Sequence, residues 1–178
     1  MGASNSATPG FNTDNYLTIE ALEDGMTVSL SVNACEYCID GSGDWVTLPS
    51  STATPAVNTG QTLSFRGNIQ PNSTNGSGTF TVTKNCNLSG NMLSLIYGND
   101  ASGRDVPAYA FQRLFIRCDK LISVSDNVLQ ANEIGQYGCY ATFNSCTNLL
   151  RAPEIRATTI YNNGCQYMFQ RSKSLKTA

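Results

Sequence analysis

The strongest constraint on this chain is that its C-terminal part repeats itself. The segments FQRLFIRCDKL, CYATFNSCTNL and CQYMFQRSKSL align without gaps from Phe111, Cys139 and Cys165, at intervals of 28 and 26 residues. Phe115, Phe143 and Phe169 share one column, Leu121, Leu149 and Leu175 a second, and Cys118, Cys146 and Ser172 a third. A unit this short cannot bury its apolar face alone, so successive units must stack, one coil on the next. The predicted core of the stack is therefore these three phenylalanines with Cys118, Cys146, Leu121, Leu149 and Leu175.

Inside one unit, Cys139, Phe143, Cys146 and Leu150 fall at i, i+4, i+7 and i+11, the spacing of one face of a short helix. LLRAPEI follows, in which Pro153 blocks helix continuation, so each unit is predicted to be a short helix and then an extended segment. The last unit stops at Lys176, Thr177 and Ala178, where its extended segment should begin. Met168, Phe169 and Leu175 are accordingly expected at an uncovered end of the stack or against a partner.

Before the repeats, the pattern alternates with period two. YLTIEALEDGMTVSLSV reads as two strands joined at Glu-Asp-Gly, and CEYCIDGSGDWVTL as a hairpin turning at Asp40, Gly41 and Gly43. QTLSFRGN, GTFTVTK and NMLSLIYG supply further strands, and PNSTNGSG reads as an exposed loop. The predicted fold is mainly β with short helices: an antiparallel β-sandwich followed by the first units of a leucine-rich-repeat-like solenoid. The predicted organisation is a polar N-terminal arm over 1–15, the sandwich over 16–98, a linker over 99–108, and about three repeats over 109–178, the last incomplete.

Charge divides at the same boundary. Up to Asp100 there are two basic and eight acidic residues, and from Ala101 nine basic and five acidic, so a net −6 meets a net +4. A +4 surface is too weak for a nucleic-acid footprint, and none is expected. No run of about 18 apolar residues is present, so no membrane-spanning helix is predicted.

Chemistry is sparse. Seven cysteines, an odd number, cannot all enter disulfides, and their repeat positions suit buried thiols made in a reducing compartment. Cys35 and Cys38 form a lone CxxC, with Cys86 a third sulfur and no histidine to complete a zinc set; Asp40 and Asp44 form half of a calcium loop at most. Without a histidine base or a carboxylate pair in one cleft, no catalytic, cofactor or metal residue is assigned. The opening MGASNSATPGFNTDN lacks the positive region and apolar run of a secretion signal, so either the chain is made in the cytosol or a signal stands outside this sequence. In that arm Pro9 and Phe11 are the attachment candidates.

YLTIEALEDG, CEYCIDGSGDW, LSFRGN and LSLIYG, followed by CYATFNSCTNLLRAPEIRATTI, resemble the Bacteroidetes leucine-rich-repeat surface proteins and the related appendage proteins of phages infecting those bacteria. Ile155 and Arg156 depart from the Leu and Pro of that repeat, and the first unit lacks Cys and Pro at the expected places, with Phe111 where later units begin with Cys. The resemblance implies a non-enzymatic structural or adhesion protein. The expected setting is a virion, as a phage head or tail fibre attached to capsid or tail proteins by its N-terminal part, homo-oligomeric, with repeats projecting toward a host surface glycan or protein. The alternative is a bacterial cell-surface adhesin of the same repeat type.

Overall fold

The computed structural model describes residues 11–176. The chain is mainly β, with strands β1 Leu17–Ala21, β2 Val28–Leu30, β3 Cys35–Ile39, β4 Val46–Leu48, β5 Thr62–Arg66, β6 Phe80–Val82 and β7 Cys86–Ser89. These are followed by one short helix, α1 Ser94–Tyr97, and by β8 Leu121–Val124, β9 Glu133–Ile134 and β10 Thr159–Ile160. Six strands form an open sheet in the order β4-β3-β5-β1-β7-β8, and β2 pairs with β6 beside it.

β1 lies inside the sheet because its residues are buried on both faces: Leu17, Thr18, Ile19 and Ala21 are all buried. It pairs antiparallel with β5, Ile19 opposite Leu63, and with β7, Ile19 opposite Leu88. This corrects the hairpin expected of β1 with β2: β2 pairs with β6 instead, Leu30 opposite Phe80. The hairpin of β3 with β4 does form, Cys35 opposite Leu48, and its tip places Asp40, Gly41 and Gly43 at positive φ.

NMLSLIYG is also corrected, from strand to the helix α1 followed by a 3-10 turn, Gly98–Asp100. Met92, Leu93, Leu95 and Ile96 are all buried, and an apolar run enclosed on every side has no period that separates helix from strand. Ser94 fixes the helix to the sheet: its hydroxyl accepts from Leu17 N at 2.9 Å and donates to Phe65 O at 2.7 Å.

The sheet is not purely antiparallel. β8 joins β7 in parallel, Leu88 opposite Val124, so the repeat half extends the sheet of the first half. Beyond β8 the pattern continues, with Leu150 N donating to Ile122 O at 2.8 Å and Lys176 N to Leu150 O at 3.1 Å. A second parallel line runs through Val106, β9 and β10. One apolar cluster reaches from Leu17 to Met168 and includes Ala101 and Val106, both within the segment read as a linker.

Candidate functional site

Between these two parallel lines, each repeat forms a ribbon of consecutive tight turns, which replaces the predicted short helix. In the first coil, N–H groups of Ala110, Gln112, Leu114, Ile116 and Cys118 each donate to the carbonyl three residues back. The alternate N–H groups cross to the next coil: Phe111 to Gly138, Arg113 to Tyr140, Phe115 to Thr142 and Arg117 to Asn144. The second coil repeats this, with Cys139 to Gly164, Ala141 to Gln166, Phe143 to Met168 and Ser145 to Gln170. Every second residue therefore bonds within its own coil and its neighbours bond between coils.

The ribbon requires a left-handed residue every fourth position. Tyr109, Arg113 and Arg117 in the first coil, Tyr137, Ala141 and Ser145 in the second, and Asn163, Tyr167 and Arg171 in the third all have φ between 53° and 64°. None of the nine is glycine, so each opposes the intrinsic preference of an L-residue, and the inter-coil bonds hold it there. Four-residue spacing of the inward side chains follows from two turns per step, which is why it imitates a helix.

Inward, the phenylalanines pile up as expected. Phe115 and Phe143 have ring centroids 5.8 Å apart at 11°, and Phe143 and Phe169 are 5.6 Å apart at 7°. The row also begins a step earlier than the repeats do: Phe80 of β6 stacks on Phe115 at 5.2 Å, and Phe65 meets Phe80 edge-on at 5.2 Å. Phe80 N donates to Leu114 O and Ser77 N to Ala110 O, so the segment read as an exposed PNSTNGSG loop leads into the cap of the first coil. Gly76 permits the approach, because a Cβ there would lie 2.8 Å from Tyr109 O.

Cys118, Cys146, Leu121 and Leu149 are buried beside this row, whereas Leu175 is only partly buried. In the same column the Cys146 thiol donates to Phe115 O at 3.1 Å and the Ser172 hydroxyl to Phe143 O at 2.8 Å. Burial pushes the Cys146 thiol up to about 12. In the third coil Met168 is buried and Phe169 partly so. The N–H groups of Cys165, Tyr167, Phe169 and Arg171, which would be the next rungs, have no partner among the described residues. Leu150, assigned to the inward stripe, is instead 39% exposed, since it has left the ribbon for the parallel line.

Outward, the ribbons carry a row of tyrosines that periodicity did not single out. Tyr109 and Tyr137 stack at 5.6 Å and 8°, Tyr140 meets Tyr137 edge-on at 5.5 Å and Tyr167 at 5.6 Å. Arg113 lies over Tyr140 at 5.8 Å. The sequence signal was Tyr at residues 109 and 137, one repeat apart.

The remaining candidates have structural employment. Phe11 stacks on Tyr16 at 5.2 Å and approaches Trp45 at 6.0 Å, with Arg66 over Trp45 at 4.2 Å, so the beginning of the described chain is fastened to the β3–β4 hairpin. Pro9 lies outside the described residues. Asp40 accepts from Thr62 N at 2.8 Å and Gln61 Nε2 at 2.7 Å, which ties the hairpin tip to β5. Cys35 and Cys38 are buried free thiols, and among the described residues no group of three His, Cys, Asp or Glu side chains is placed to hold a metal. No helix among them is long and apolar enough to cross a membrane.

Compared with protein-family models, with curated proteins and with solved structures, the chain matches none.

Proposed function

We propose that this chain is a non-enzymatic display module in which a β-sandwich caps and starts a leucine-rich-repeat-like solenoid, and that it serves as a phage virion appendage. The observation that carries the reading is the single row Phe80, Phe115, Phe143 and Phe169, which runs from the first half into three successive coils. A rod built this way offers long lateral faces on a capped base, which suits attachment at one end and recognition along the side. Seven free thiols, six of them buried, support assembly in a reducing cytosol, where virions are made. The N-terminal part would dock on capsid or tail proteins as a homo-oligomer, and the repeats would face a host glycan or protein.

Immunogold electron microscopy with antibodies against the full chain tests this on cells and particles from one culture. Gold on virion heads or tails is the expected result. Gold confined to the bacterial envelope would replace the virion reading with that of a cell-surface adhesin.

A further inference from the structure

We propose that the tyrosine row on the outer face of the first two coils is a binding site for an acidic saccharide, a pyranose carrying a carboxylate. A cavity of about 290 Å³ lies there, lined by Ser73, Tyr109, Gln112, Arg113, Tyr137 and Tyr140. This is near the lower end of the range for small-molecule sites, about 300 Å³.

The lining combines what such a ligand needs. Tyr109, Tyr137 and Tyr140 are half-buried, presenting aromatic carbon beside phenolic hydroxyls that make no hydrogen bond among the described residues. Apolar C–H faces of a pyranose pack on aromatic carbon while its hydroxyls bond to phenols. Gln112 is buried, donates Nε2 to Ser73 O at 3.5 Å, and has no bond to its Oε1 among the described residues. Arg113 is exposed and makes no ion pair among the described residues, and none of the six lining residues is a carboxylate. A guanidinium that lies over Tyr140 without a carboxylate partner, in an otherwise neutral cavity, selects a planar anion.

Backbone conformation fixes where the two stacked rings point. Tyr109 and Tyr137 occupy left-handed positions at φ 62° and 55°, where Asn or Gly would sit with less strain, as Asn163 does in the same column. The ribbon sets this conformation, as it does at the other left-handed positions, and it leaves the stacked Tyr109–Tyr137 pair half-exposed on the coil face. A nucleic acid fits less well, because a single cation does not track a phosphate backbone.

The inference rests on the display reading only in taking the coil face to be presented to an outside ligand. Its test is titration of the purified full chain with trigalacturonate and, separately, with maltotriose, followed by heteronuclear NMR. The expected result is binding of the acidic trimer about tenfold tighter than the neutral one, weakened by salt. Arg113→Gln and Tyr137→Asn should each weaken it by about tenfold or more while leaving the melting curve in place. Tyr137→Phe, which keeps the ring, guards against misfolding of the Asn variant and should lose a smaller part. Absence of binding, equal binding of maltotriose, or indifference of a folded Tyr137→Asn variant would each overturn the site. None of these outcomes bears on where the immunogold label falls.

Discussion

The hydroxyl of Ser172 donates to the carbonyl of Phe143 at 2.8 Å, repeating one coil later the bond that the Cys146 thiol makes to the carbonyl of Phe115 at 3.1 Å. Two residue types thus serve one purpose at one repeat position: each is small and carries a donor that satisfies a buried carbonyl of the preceding coil. Ser172→Ala should lower stability by about 1 kcal/mol, and Ser172→Cys by clearly less. Urea unfolding of the three proteins decides it; equal losses for Ala and Cys would mean that the bond contributes nothing.

Phe143 lies between two other rings and is fully buried, whereas Phe169 has a ring on one side and is only partly buried. Phe143→Ala should therefore cost about 3–5 kcal/mol. Phe169→Ala should cost less than half as much. A calorimetric ranking in the opposite order would contradict the burial gradient along the row.

Arg117 is exposed and left-handed at φ 59°. Replacing it by glycine removes the clash of Cβ with the backbone, which outweighs the extra freedom given to the unfolded chain, so Arg117→Gly should stabilise by about 0.5–1 kcal/mol. Arg117→Val should destabilise, because branching at Cβ makes that conformation costlier still. Thermal melts of the pair should move in opposite directions.

Burial raises the Cys35 and Cys146 thiols to about 12 and those of Cys86 and Cys118 upward as well. Unfolded thiols release their protons from about pH 8.5, so between there and about pH 12 the folded chain binds more protons than the unfolded one. The stability linked to these groups is complete below about pH 8.5 and is lost as pH climbs toward the folded values. Unfolding midpoints should fall steeply on the alkaline side, and Cys146→Ser should make that fall shallower.

Cys165 behaves differently. It is half-buried, and a hydrogen bond from Cys139 lowers its thiol while Cys139 itself is raised. A thiol-specific reagent at neutral pH should modify one cysteine quickly, and peptide mapping should place the label on Cys165. Rapid labelling of Cys139 or Cys146 would show that the coils open.

Stacking of Phe115, Phe143 and Phe169 was legible in the sequence because a short repeat leaves its apolar side chains nowhere else to go. The local backbone was not. A step of four between Cys139 and Phe143 suits both a helix and a pair of turns, and the left-handed positions carry Tyr, Arg, Ala, Ser and Asn with no glycine to announce them. Phe80 reads in the sequence only as a strand residue alternating with Val82, because its partner Phe115 belongs to the other half of the chain and nothing in β6 marks one residue as a cap. The pairing of β1 is hidden for a related reason: Glu-Asp-Gly makes a good turn, but Thr18, buried against Ser64 at 2.9 Å between the hydroxyls, belongs to a strand covered on both sides.

In the turn ribbon each coil hands its N–H groups forward to the carbonyls of the following one, whereas along the two parallel lines bonds also run back, as from Lys176 N to Leu150 O, so the ribbon face alone has a sense, as an arrow does. Two copies of the third coil set ribbon to ribbon across a twofold axis would place donors against donors. Whatever continues the ribbon past the third coil, further chain or a partner, must present carbonyls to it.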